Sequence, residues 1–486
     1  MLSSSGDNLL ERLNLIDTIQ RLGIDFMFEE EIEQILQHDY ENIGPNACNI
    51  DGDIFLVALR FRLLRQQGYN VPSALVFGKF RTEEAEFREE ITSDAEGMLS
   101  LYEAAYMRTQ DDNILDEALD FTKKHLTAMA RELASPLAER VAHALHRPLR
   151  RGMRRAEHLF FVSIYPQMDG HDAGLLKLAR LGFNLLQNLY QKELKVLTKW
   201  WIELDLPRKL YYARDKLLEN YFWAMGCLWE PKFSLSRYCF MKLIPIASMY
   251  DDTFDAWDTS TKDLNTNMKI LFDAVIDSYD DIQEITSNEF GRSYCWEYGK
   301  PALKNVVRLY LEEARWLAKG YVPTLEEYRH ISSLSTIYQW AAFSVFCGMG
   351  DELAPKELFD WLFTEPKMLV ASSDQCRLMD DIMTHEFEQE RGHAPSSVEC
   401  YVEQYGVSTQ KAVDALSNMV EEDWKIMNGE LLSPPNCVPR KVLSIFLAFA
   451  QIMDVLYKDS DGYTNSATTT KDLLTALLVT PFPISS

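Results

Sequence analysis

Apolar residues recur at three- and four-residue spacing along the whole chain, and this period narrows the accessible folds more than any other feature. Leu9, Leu13, Ile16 and Ile19 share one helical face, and Gly23 then supplies a stop. Segments 113–133, 175–197, 304–318 and 409–428 repeat the pattern at helix length, with no run of strand-type alternation between them. The chain is therefore predicted to be all-α. Its 486 residues are enough for two domains. Breakers at Gly78, Pro136, the 166–174 stretch PQMDGHDAG and the 433–436 stretch SPPN mark turns. The PQMDGHDAG loop is the preferred boundary, giving domains 1–172 and 173–486. The most apolar stretch, 442–457, is broken by Gln451 and Asp454 and is too short to cross a bilayer. It reads as a buried core helix, and no membrane partner is expected.

Charge then excludes some functions. The 74 acidic residues against 49 basic ones give a net charge of −25, which repels phosphate backbones and argues against nucleic acid as a partner. Such a chain can still bind an anion if metal ions intervene. The eight cysteines are scattered without a CxxC pair, as expected of thiols in a reducing compartment. The opening residues lack the regions of a signal or transit peptide, so a cytoplasmic location is expected, with a monomer as the default state.

Two acidic constellations carry the chemistry. In LIPIASMYDDTFDAW an apolar run leads into Asp251, Asp252 and Asp255, and Asp251 and Asp255 share a helix face. Like charges at that spacing cost roughly 0.2–0.5 kcal/mol unless a cation or water screens them, and a divalent metal would remove the penalty. A solvated acidic face is the bland alternative. The second constellation, RLMDDIMTHEFEQERGH, places Asp380, Thr384 and Glu388 at i, i+4 and i+8. That all-oxygen stripe suits magnesium, which prefers hard oxygens and is commonly shared between a few carboxylates and substrate phosphates. Two motifs, each behind an apolar run, favour metal over surface charge.

A metal-bound diphosphate also needs N–H donors to hold it as it leaves. YYARDKLLENYFW offers Arg214 and Lys216, and Arg377 lies almost one turn before Asp380. Simple pairing of these cations with neighbouring acids such as Asp215 and Glu219 is the competing reading.

YYARDKLLENYFW, MYDDTFDAWDT, RLMDDIMTHEFEQERGHAPSSVECYVEQYG and DGYTNS, in this order and spacing, resemble a plant terpene synthase of class I and sesquiterpene type. IDTIQRLGIDFMFEEEI, FRLLRQQGYNVPS and the C-terminal LLVTPFPI extend the resemblance over essentially the whole chain. It implies two helical domains: an N-terminal α-barrel like that of class II cyclases, inactive here, and a C-terminal bundle that holds the active site. Class II chemistry uses a DxDD acid, and the N-terminal half offers only Asp51-Gly52-Asp53. The resemblance implies that Asp251 and Asp255 ligate two magnesium ions and that Asp380, Thr384 and Glu388 hold a third, with Mn2+ as a possible substitute. Asp252 is expected to tune the cluster through a basic neighbour. Arg214 and Arg377 are similar to arginines that grip the diphosphate, and Trp223 and Tyr463 resemble aromatic residues that face the carbocation.

Three departures from the family pattern stand out. Arg-x-Arg is replaced by Arg214-Asp215-Lys216, and lysine lacks the guanidinium fork. The usual N-terminal strip with an arginine pair and a tryptophan is not in this sequence, so either the chain is trimmed there or part of the lid is lost, and cyclisation efficiency depends on which. Pro245, six residues before Asp251, must kink its helix or occupy the first turn. The expected substrate is farnesyl diphosphate, converted to a sesquiterpene and diphosphate. The alternatives are a monoterpene synthase using geranyl diphosphate, or a non-catalytic helical protein that binds an isoprenoid diphosphate.

Overall fold

A computed structural model describes residues 9–43, 52–255, 264–436, 438–467 and 469–484. Among the described residues there are twenty-two α-helices, five short 3-10 turns, one isolated bridge between Arg81 and Phe87, and no strand. The all-α expectation follows from the 3.6-residue period and is met. No helix of the described residues is long and apolar enough to cross a membrane. Two compact units result: residues 1–185 with 428–434 and 479–486, and residues 186–427 with 435–478. The passage from one to the other falls inside the helix Ala173–Leu204, which starts where the PQMDGHDAG loop ends.

In the first unit the helix Leu9–Arg21 buries Leu13, Ile16 and Ile19, and Gly23 ends it with φ +69°, a conformation glycine adopts without strain. The helix Ile54–Gln66 is buried along most of its length and packs against Ala95–Ala105. Its three arginines are buried, so each needs a counter-charge. Arg60 meets Asp39 at 2.7 Å, and Arg62 meets Asp17 at 2.5 Å. Arg65 holds Asp112 and the carbonyls of Val71 and Met107. Asp53 caps the Ile54–Gln66 helix by accepting the Leu56 N–H at 2.9 Å. Asp51, Cys48 and Cys437 lie outside the described residues.

In the second unit the helix Ser234–Asp255 is packed on by Leu217–Cys227, Leu264–Phe290, Cys295–Lys319 and Tyr338–Cys347. Of the two placements open to Pro245, the helix interior is the one observed. Gly348 makes the Tyr338–Cys347 contact possible, because a Cβ there would come within 2.4 Å of the Ser236 backbone. The second acidic motif lies on Lys367–Glu390, which packs against Leu325–Ser335 and Arg440–Tyr457. The latter helix contains the apolar stretch 442–457 and is buried nearly throughout, including Gln451 and Asp454. The two motif helices are linked twice. Tyr338–Cys347 packs on both, while Leu217–Cys227 packs on the first and on Arg440–Tyr457, the neighbour of the second.

Candidate active site

Asp251 and Asp252 are adjacent in sequence but have different surroundings. Asp251 keeps 41% of its side-chain exposure, whereas Asp252 is buried. A helix turns successive side chains by about 100°, so one carboxylate faces solvent and the other the protein. Asp252 Oδ1 accepts from Arg214 Nε at 2.7 Å, and its Oδ2 accepts from the Arg214 backbone N–H, also at 2.7 Å. Arg214 reaches Asp251 only at 3.8 Å. Burial disfavours the Arg214 cation, and Asp252 more than offsets it, so the guanidinium holds its proton more tightly than usual. Asp255 ends the same helix, and its side chain lies outside the described residues.

The turn that carries Arg214 is fixed from both ends. Ala213 N–H donates to the Leu210 carbonyl at 2.9 Å, and Asp215 accepts from the Trp201 indole N–H at 3.0 Å. Lys216 is buried, and its ammonium donates to the carbonyls of Tyr463 at 2.8 Å and Thr464 at 3.1 Å and to Glu219 at 3.2 Å. Its three protons are thus committed within the protein, which differs from the open diphosphate donor the sequence pattern suggested. Arg214 reaches the same segment through Thr464 Oγ1 at 3.2 Å. Asp461 shapes that segment by accepting the N–H groups of Tyr463 and Thr464 at 3.1 and 2.8 Å. The Tyr463 hydroxyl lies 3.0 Å from Ser248 Oγ, one turn before Asp252 on the first motif helix. Burial pushes this phenol up to about 12, so it stays neutral.

On the second motif helix, Thr384 Oγ1 donates to Glu388 Oε1 at 3.0 Å and lies 2.9 Å from the Asp380 carbonyl. Arg377 contacts Asp380 at 3.1 Å and Asp381 at 3.6 Å. Burial, with Glu388, Asp381 and Asp461 adding repulsion and Arg377 opposing, pushes the Asp380 carboxyl up to about 7. Its side chain nonetheless keeps 24% exposure, so it opens to solvent on one side. Asp381 is fully enclosed and accepts the Ser397 N–H at 2.9 Å. The 461–464 segment therefore meets the first motif helix at Ser248 and its partner Arg214, while Asp461 adds repulsion to Asp380.

Trp223 is half-buried in an aromatic cluster. Its ring centroid lies 5.8 Å from Tyr338 and 6.4 Å from Phe449, and those two are 4.7 Å apart. These rings come from three helices: Leu217–Cys227, Tyr338–Cys347 and Arg440–Tyr457.

Residues 202–426 match the terpene synthase family metal-binding domain, and residues 1–145 match the terpene synthase N-terminal domain. The chain belongs to the terpene synthase family. It is 43% identical to (-)-germacrene D synthase of Vitis vinifera over 100% of this chain and 89% of that protein. It is 42% identical to sesquiterpene synthase 2 of Toona sinensis over 98% of this chain and 88% of that protein. Isoprene synthase of grey poplar leaves (Populus x canescens), solved with three Mg2+ ions and dimethylallyl-S-thiolodiphosphate, superposes with a TM-score of 0.90 at 27% identity. That match covers 99% of this chain and 94% of that one.

Both acidic motifs of this terpene synthase family member lie within the matched metal-binding domain. Among the described residues no three carboxylate, imidazole or thiol groups converge on one point. The donor set still fits magnesium, which retains several waters and needs only one or two carboxylates besides phosphate oxygens. Asp251, Asp380, Thr384 and Glu388 offer hard oxygens, and the raised proton affinity of Asp380 marks a crowded acidic face that a dication would relieve. Sequence reasoning missed Thr464, Ser248 and Asp461. Their signal was faint: DGYTNS was legible as a motif, but its hydrogen-bond partners are hundreds of residues away in the chain.

Proposed function

We propose that this chain is a class I terpene synthase that converts farnesyl diphosphate to a sesquiterpene and diphosphate. The observation that carries the reading is the pairing of each acidic helix with an arginine, Arg214 with Asp252 and Arg377 with Asp380. The C15 substrate is supported by the 42% identity to a protein named as a sesquiterpene synthase.

In this reading Asp251, Asp255, Asp380, Thr384 and Glu388 hold three magnesium ions, or manganese in their place. Bound magnesium would supply Lewis-acid stabilisation of the departing diphosphate. Arg214 and Arg377 bind diphosphate oxygens by charge-assisted hydrogen bonds. Asp252 keeps Arg214 in place from its buried side. Lys216 acts as a positioning residue that fixes the carbonyls of Tyr463 and Thr464. Trp223 and Tyr463 present aromatic faces to the carbocation, each contributing roughly 0.5–2 kcal/mol, and exclude water from it. The N-terminal domain carries no catalytic acid. A monomeric cytoplasmic enzyme fits the six free thiols among the described residues.

The test is mass spectrometry of solvent extracts after incubation with farnesyl or geranyl diphosphate, with and without magnesium. A magnesium-dependent C15 product that disappears with Asp251→Ala is expected. A product from geranyl diphosphate alone would overturn the substrate, and no turnover of either would overturn the enzyme.

A further inference from the structure

We infer that Glu219 is a further positioning residue for the reaction proposed above: its carboxylate holds the far end of the 461–466 segment and so keeps Tyr463 in place against the first motif helix. The segment is tied down at its start, its middle and its end. At the start, Gly462 donates its N–H to the Leu456 carbonyl at 2.8 Å, and its own carbonyl accepts from Thr470 Oγ1 at 2.8 Å. A Cβ on Gly462 would meet that hydroxyl at 2.7 Å and the Leu456 oxygen at 2.9 Å, so the chain is close-packed there. In the middle, Lys216 donates to the carbonyls of Tyr463 and Thr464. At the end, Ser466 Oγ donates to Glu219 Oε1 at 2.6 Å. The first tie lies within the segment's own stretch of chain, whereas the other two come from the start of the helix Leu217–Cys227.

Glu219 is suited to this task by its place in the fold. It stands in the first turn of its helix, where the free N–H groups favour a carboxylate. Its side chain keeps only 13% exposure, so water competes little for its oxygens. The separation from Ser466 is that of a hydroxyl bonded to an ionised carboxylate, which is stronger than a bond between neutral groups. The same oxygen receives the Lys216 ammonium at 3.2 Å. One carboxylate therefore fixes Ser466 directly and the Tyr463 and Thr464 carbonyls through Lys216. Asn220, next in the helix, donates from Nδ2 to the Lys216 carbonyl at 2.8 Å and closes the turn.

What this turn holds in place is Tyr463, whose hydroxyl lies 3.0 Å from Ser248 on the helix that bears Asp251 and Asp252. With Ser466 released, the segment would keep its anchor at Gly462 but lose its far one, and Tyr463 would swing with it. Water would then reach the carbocation before a proton is lost from it. This consequence for the product rests on the catalytic reading, while the tie between Glu219 and Ser466 does not.

The experiment reads two quantities side by side on the full chain: amide hydrogen exchange without ligand, and the product mixture from farnesyl diphosphate with magnesium. Ser466→Ala removes the hydroxyl alone and should accelerate exchange at residues 463–466 by about three- to tenfold, while the share of alcohols rises at the expense of hydrocarbons. Ser466→Thr keeps the hydroxyl and should return both readouts to wild type. Glu219→Gln should move both further than Ser466→Ala, since it also loosens Lys216, and Glu219→Gln/Ser466→Ala should add nothing to it, because the two groups share one contact. Unchanged exchange in the helix Ile54–Gln66 of the first unit marks each variant as folded. Exchange at 463–466 unaffected by Ser466→Ala, or additive effects in the double variant, overturns the tie. Faster exchange with an unaltered product mixture overturns the positioning role. No product from wild type would overturn the catalytic reading and the positioning role with it, while exchange still decides the tie.

Discussion

Arg214 is bound to Asp252 and not to Asp251: its Nε and its backbone N–H donate to the two oxygens of Asp252, each at 2.7 Å, while Asp251 stays 3.8 Å away. The division of labour within the aspartate pair follows. One carboxylate positions a guanidinium, and the other is the more exposed of the two, at 41%.

Replacing Arg214 by alanine should leave Asp252 buried without its side-chain partner. Because the guanidinium is 38% exposed, the full cost of a broken buried pair does not apply. A loss of about 1–2 kcal/mol in unfolding free energy is expected, together with a fall in kcat/KM of about 10–100-fold. Denaturant titration and steady-state kinetics read the two effects. Arg214→Lys should recover stability more than activity, since an ammonium lacks the fork.

Lys216→Met removes the donor that ties down the carbonyls of Tyr463 and Thr464. The loop should open more often, so hydrogen exchange at residues 461–466 should accelerate, and the product mixture should shift towards alcohols formed by water capture. Exchange unchanged in this variant would remove Lys216 from its positioning role.

A pH effect is expected away from the metal site. Burial, then repulsion from Asp374, pushes the Asp423 carboxyl up to about 9, with Arg329 opposing. Asp374 itself is held by Arg329 and by Ser333 Oγ at 2.8 Å. The folded-state value lies above the unfolded one, so this group's contribution is fully present below about pH 4. It is lost as pH rises towards about 9, with a slope of at most about 1.4 kcal/mol per pH unit. Asp423→Asn should flatten that slope and gain stability relative to wild type at pH 8, measured by chemical denaturation across pH.

Gly348→Ala should destabilise the second unit by about 1–3 kcal/mol. The added methyl would meet the Ser236 N and Cα at 2.4 Å, and backbone atoms cannot swing aside as a side chain can. Its φ of −87° is ordinary, so the cost is one of contact and not of conformation. A melting temperature equal to wild type would contradict this contact.

Much of the molecule was legible from the chain alone because the signals are local. The apolar period that buries Leu13, Ile16 and Ile19 spans a few turns, and so does the Asp380, Thr384, Glu388 stripe, where Thr384 and Glu388 do meet at 3.0 Å. A helix fixes such neighbours by its own geometry, whatever surrounds it. What the sequence could not decide is who meets whom across the fold. Arg214 and Lys216 read alike as two cations in one turn. Tertiary packing gave Arg214 to Asp252, 38 residues on, and Lys216 to the carbonyls of Tyr463 and Thr464, more than 240 residues on. Charge and spacing are written in the chain, but partnership depends on distance in space, which the packing of distant helices sets.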